Sequence, residues 1–189
     1  MSNRRVTFNL SAYLMTDNSS SWAEIKKGLG GKILAVYCGI IFVVLFFWNT
    51  GLLYPLKILT VFFHELSHAL AALVTGGKVL EIVLDPQQGG HCLIVGGNDF
   101  LVVSAGYLGS LIWGGIILAA AANSRQDKHL MVALGTILVA VALRWIRPLL
   151  SFGFIFCIIL GGILAASGKY LSAKINDWAL RTVGLTSCL

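Results

Sequence analysis

Tyr54-Pro55-Leu56-Lys57-Ile58-Leu59-Thr60-Val61-Phe62-Phe63-His64-Glu65-Leu66-Ser67-His68-Ala69-Leu70-Ala71-Ala72-Leu73-Val74-Thr75 is an apolar run long enough to cross a hydrocarbon layer as one helix. At ~1.5 Å per residue, His64 lies roughly 15 Å from the Tyr54 end, near the bilayer midplane. Residues four apart share a helix face, so His64 and His68 can both reach one metal ion. Lys57, His64, His68 and Thr75 follow one another at spacings of seven, four and seven, which makes a single polar stripe. Ionisable groups at that depth cost ~2.5–3.5 kcal/mol each and normally face the protein interior with a partner. The stripe therefore predicts a hydrated cavity rather than a lipid-facing surface.

The motif is short, yet a shuffled chain with 4 His in 189 residues contains HExxH with a probability of only ~0.001. A zinc ion held by the two imidazoles lowers the pKa of its water to about 7, and a carboxylate beside it can take the proton during hydrolysis. Glu65 is in that position. The bland alternative is a pair of histidines that hydrogen-bond to neighbouring helices and only hold a bundle together. It leaves the glutamate between them unexplained.

The chain is 57% hydrophobic and 12% charged, with a mean hydropathy of +0.84. Soluble domains carry roughly 25% charged residues, so the composition is that of an integral membrane protein. The net charge of +6 sits mostly in the head and loops. There it suits membrane orientation and lipid headgroups, and no nucleic-acid partner is expected. Cys38, Cys92, Cys157 and Cys188 form no CxxC pair and read as ordinary apolar residues.

Residues 1–31 form a polar head containing Arg4, Arg5, Lys26 and Lys27, and residues 32–189 the membrane domain. No apolar segment follows the first basic residues, so a cleaved signal peptide is not expected. A short interfacial helix is expected around Trp22 to Lys27. The basic residues before the first span place the N-terminus on the cytoplasmic side.

Expected spans are Ile33–Leu53, Tyr54–Thr75, Asp99–Ala122, Leu130–Leu143 and Leu149–Ser167. The polar loop 123–129 ends in His129, which reads as solvent-facing. Trp178–Leu189 opens a further apolar run that is too short to cross, and the expectation is a chain that stops before its last helix ends. The fold class is an all-α polytopic membrane protein of about five to six transmembrane helices. A small β-hairpin is expected between the second and third, because Lys78–Asp85 and Cys92–Val95 are β-branched and aliphatic and flank the turn-rich Pro86–Gly90. Its edge can either accept an extended peptide or merely cap the bundle. His91 on this hairpin reads as a solvated loop histidine rather than a third ligand. In the third helix Ala105, Gly109, Ser110 and Gly114 supply small residues at four-residue spacings, with the metal helix as the expected neighbour.

His64-Glu65-Leu66-Ser67-His68-Ala69, Thr75-Gly76-Gly77, Gly89-Gly90 and Ala105-Gly106-Tyr107-Leu108-Gly109 together resemble the site-2 protease family of intramembrane zinc metallopeptidases, in its compact peptidase-M50B-like branch. The resemblance runs from about residue 60 to the C-terminus. It implies His64 and His68 as zinc ligands, Glu65 as general base, and the Gly106 helix packed beside them. Gly106 and Tyr107 are then candidate substrate contacts. The family takes a third ligand from an aspartate on a later helix, often within an Asn-Pro-Asp-Gly-like motif, and that motif is absent here. Asp99, Asp127 and Asp177 all fall at helix ends. The expectation is a third ligand beyond Leu189.

The leading expectation is therefore a zinc endopeptidase that cleaves transmembrane protein substrates within the lipid bilayer. The alternative is a catalytically inactive relative that binds membrane proteins without cutting them. A metal carrier is a third reading, weakened by the lack of a second intramembrane acidic site.

Overall fold

The structure, a computed structural model, describes residue 31 and residues 34–123 and 127–189. The polar head, its expected interfacial helix and its placement relative to the membrane lie outside the described residues. The unit from Val44 to Leu189 carries the site.

Helix α1 covers Leu34–Phe46. The expected span to Leu53 does not continue past Phe46, and Ile33 lies outside the described residues. The reason is the run Trp48-Asn49-Thr50-Gly51. Thr50 donates its hydroxyl to the Phe47 carbonyl at 2.6 Å, and its backbone N–H bonds the same oxygen at 2.9 Å. A side chain that satisfies the backbone locally competes with helix continuation. A 3-10 turn over Gly51–Leu53 then leads into helix α2, Tyr54–Val74.

Pro55 occupies the first turn of α2, where its missing N–H costs nothing. The far end closes at Thr75-Gly76-Gly77. Gly76 adopts φ +86°, and the Gly77 N–H bonds the Ala72 carbonyl at 2.8 Å. That is a glycine stop, since a side chain at positive φ would be strained. Ile58, Phe62, Phe63, Ala69 and Ala72 are all fully buried. Half of the α2 span is buried, against 22–33% for the three other long apolar helices. It is the central helix.

Strands β1 (Lys78–Leu84) and β2 (Gly90–Val95) pair antiparallel, with a bulge between Val79 and Glu81. The hairpin folds back along α2, and the Tyr54 hydroxyl donates to the Pro86 carbonyl at 2.7 Å, which pins the turn at the start of that helix. Backbone at this depth must find partners within the protein. On β1, Ile82 bridges Ile146, and the Arg147 N–H donates to the Ile82 carbonyl at 3.2 Å. Among the described residues β2 has no second partner strand.

Helix α3 (Asp99–Asn123) returns beside α2, its first turn capped by the Asn98 carboxamide on the Leu101 N–H at 3.0 Å. Helices α4 (Asp127–Trp145) and α5 (Phe152–Tyr170) form a close antiparallel pair. Gly135 and Gly161 make that closeness possible, because a Cβ on Gly161 would sit 2.8 Å from the Gly135 carbonyl oxygen. The polar loop is shorter than its composition predicts. Asp127 already opens α4, so His129 lies in a helical turn, and it is exposed as expected. Helix α6 (Ala173–Ser187) begins at Ser172, whose hydroxyl accepts from the Ile175 N–H.

Four described helices, within Gly51–Val74, Asp99–Ala122, Asp127–Trp145 and Phe152–Tyr170, are long and apolar enough to span. With the hairpin between α2 and α3, this is the all-helical polytopic membrane fold that the sequence predicts. Phe100, Val103, Leu108 and Ile112 of α3 point outward, as lipid-facing residues do.

The small residues of α3 serve two neighbours rather than one. Gly106 and Gly109 meet α2, and a Cβ on Gly109 would collide with the Ser67 side chain. Gly114 instead faces α6, where a Cβ would meet Cys188 Sγ and the Gly184 carbonyl at 2.5 Å. The metal helix is the neighbour of the first part of the stripe, as expected, and α6 is the neighbour of the rest.

Candidate metal and active site

His64, Glu65 and His68 sit in the middle of α2. The two imidazoles lie edge to face with ring centroids 4.7 Å apart. A Cβ on Gly106 would collide with the Nε2 atoms of both. The two nitrogens therefore converge over one point of α3 that only glycine leaves open. His68 Nδ1 is 2.6 Å from the Val102 carbonyl oxygen. A carbonyl can only accept, so Nδ1 carries the proton and the Nε2 lone pair is free. This is how ligating histidines are commonly oriented by a second hydrogen bond. Tyr107 packs edge-on against His64 with centroids 4.7 Å apart, while its own ring is largely exposed.

Glu65 is buried at 5% exposure. The hairpin reaches it through Gly90, where a Cβ would lie 3.0 Å from Glu65 Oε1 and 2.9 Å from Val61 Cγ1. Absence of a side chain at Gly90 thus brings a strand backbone against the carboxylate. Above them lies a cavity of about 630 Å³ whose walls include Lys57, His64, Glu65, Gly90, Tyr107 and Ser187. The polar stripe of α2 opens onto it through Lys57 and His64. Thr75 does not take part, because its hydroxyl caps the helix end on Ala71 O at 2.7 Å and accepts from the Asn98 N–H at 3.0 Å.

Two imidazole nitrogens fit two of the four positions that zinc usually fills. Among the described residues no third His, Cys, Asp or Glu joins them. His91 is exposed on β2 and paired in register with Val83. Cys92, its neighbour, is half-buried. Burial pushes its thiol up to about 12, with the Glu65 carboxylate adding to the effect.

Several site features escaped the sequence reading. The Val102 carbonyl carries no side-chain signature. Gln88 and the final residues Thr186 to Leu189 reach the cavity only because the hairpin and α6 bend back to it. The one available signal was Gly89-Gly90, and its spacing from Glu65 says nothing about contact.

Helices long and apolar enough to cross a bilayer, packed around a central helix with two converging histidines, are those of an integral membrane protein. The Peptidase M50B-like family matches residues 37–189, and the chain belongs to that family. Neither the curated proteins nor the solved structures contain a match to it.

Proposed function

We propose that this protein is an intramembrane zinc metalloprotease that hydrolyses peptide bonds of membrane-embedded substrates. The observation that carries the reading is the convergence of the His64 and His68 Nε2 atoms over Gly106, with His68 held in the donor tautomer by Val102. His64 and His68 would hold the zinc. Bound there, it supplies Lewis acidity toward a substrate carbonyl and makes water acidic enough to ionise near neutral pH. Glu65 accepts the proton of the attacking water and passes it to the leaving amine, as a carboxylate within reach of the reacting bond can. Burial of Glu65 beside Gly90 restricts its rotamers and aims it at the cavity. The polar stripe admits water to the site. The unpaired side of β2 gives an extended substrate backbone somewhere to hydrogen-bond once its own helix has opened. Tyr107 borders the same space and is available to substrate, whereas Gly106 lies beneath the two imidazoles and contributes room for them.

Purified protein should carry zinc that His64→Ala loses, and should cut a transmembrane reporter with Glu65 but not with Gln in its place. Retained cleavage in Glu65→Gln sinks the reading.

A second reading, a non-cutting protein that binds membrane partners, is favoured by the lack of a third ligand among the described residues. It expects partner capture without cleavage, unchanged by Glu65→Gln. The reporter assay separates the two.

A further inference from the structure

Among the described residues, Lys57 is the one lysine or arginine on the cavity wall. It lies on the same face of α2 as His64, two helical turns before it, and is half-buried. Its ammonium rests over the Trp48 ring, 4.8 Å from the centroid, and makes no ion pair among the described residues. Among the described residues, Glu65 is the only carboxylate side chain that lines the cavity, and it packs against Gly90 instead. A lysine that served only as an interface anchor would extend to headgroups outside the bundle. This one is held by an aromatic ring against the inner wall. A charge in such a place is stabilised by an anion that enters the cavity.

We propose that Lys57 is a specificity subsite that receives a carboxylate carried by the substrate polypeptide. The proposal rests on the protease reading of the site. The seven-step rise of α2 from Lys57 to His64 covers about 10 Å, and an extended chain advances about 3.3 Å per residue. The acidic side chain therefore lies about three residues from the bond that is cut. The Trp48 ring under the Lys57 ammonium holds it in line for that contact. Gln88, Gly89 and Gly90 of the hairpin line the same cavity.

The test separates binding from cleavage. Fluorescent apolar peptides with a Gly-Pro break at their centre carry either Glu or Gln three residues to one side of the break, and a second pair carries them to the other side. Binding is measured by anisotropy to the Glu65→Gln protein in phosphatidylcholine nanodiscs. One Glu peptide is expected to bind about tenfold tighter than its Gln twin, the effect of one close charge pair. The ratio falls to about one when Lys57→Gln is added, persists in Lys57→Arg, and inverts toward a Lys-bearing peptide in Lys57→Glu. Equal binding of the twins, binding of neither, or a preference that survives Lys57→Gln overturns the proposal. Loss of phosphatidylserine affinity alone in Lys57→Gln also overturns it, since the cation would then serve a lipid. Cleavage of the same peptides by protein with Glu65 intact is scored separately. A charge preference without cleavage overturns the protease reading and leaves the subsite standing.

Discussion

His68 and Val102 are joined by a hydrogen bond of 2.6 Å between the imidazole Nδ1 of α2 and a carbonyl oxygen of α3. The bond fixes which nitrogen of His68 is free, and it crosses the tightest helix contact in the site. Helix α3 thereby does more than pack. It sets the direction in which the donor pair points, and Gly106 one turn later makes room for both rings.

Gly106→Ala is expected to break this arrangement. In a helix the change ordinarily stabilises by about 1 kcal/mol, but overpacking costs about 1–3 kcal/mol. Here the new methyl meets both imidazoles, and overpacking wins. Zinc content should fall and the Tm in detergent should drop, while Gly115→Ala, which meets nothing within 4 Å, should hold or raise it. A Gly106→Ala protein with full zinc content contradicts the geometry.

Glu65→Gln keeps the volume and removes the base. Zinc should remain near one per chain by elemental analysis, and reporter cleavage should fall at least a hundredfold, the usual effect of losing a general base. His64→Ala and His68→Ala should lose both zinc and cleavage. An equal loss of zinc in Glu65→Gln would mean that the carboxylate holds the metal instead of acting on water.

Gly90→Val tests the hairpin contact. A Cβ there meets Val61 and Glu65 at 2.9 and 3.0 Å, so the strand must move away from the carboxylate. Cleavage should drop at least tenfold with zinc content unchanged, a split that global unfolding does not produce. The corresponding change at Gly89, 3.8 Å from the Asp85 Cβ, should be far milder.

Cys92 gives a dependence on pH. Its thiol is pushed from 9.0 to about 12 by burial. The folded chain therefore holds the proton through a range in which the unfolded chain releases it. Linkage then makes the Cys92 contribution fully present below pH 9 and lost progressively as pH rises toward 12. The alkaline fall in Tm between pH 8 and 10.5 should be shallower in Cys92→Ser than in the parent, and alkylation by iodoacetamide at pH 8 should be slow. Rapid alkylation of the folded protein at that pH contradicts the buried thiol.

Much of the bundle is legible in residue order alone. Tyr54 to Thr75 reads as one helix because its apolar length, its proline start and its glycine stop agree, and α2 keeps those limits. The hairpin follows from β-branched runs around Pro86 to Gly90. Where local chemistry competed with hydropathy, the reading failed. The expected first span runs on through Trp48 and Asn49 to Leu53, yet Thr50 turns the backbone onto Phe47. Asp127 reads as loop, yet it opens a helix.

What the sequence by itself determined is the membrane class, the positions of most helices and the pairing of His64 with His68 on one helix face. Those depend on composition and on a period of 3.6 residues, and both are local. Only the tertiary structure decided which lone pair His68 presents, that Gly106 leaves space for both imidazoles and that Gly90 touches Glu65. Each of these joins groups far apart in the chain through a backbone carbonyl or an absent side chain. Residue order shows a glycine, but not which distant side chain it makes room for.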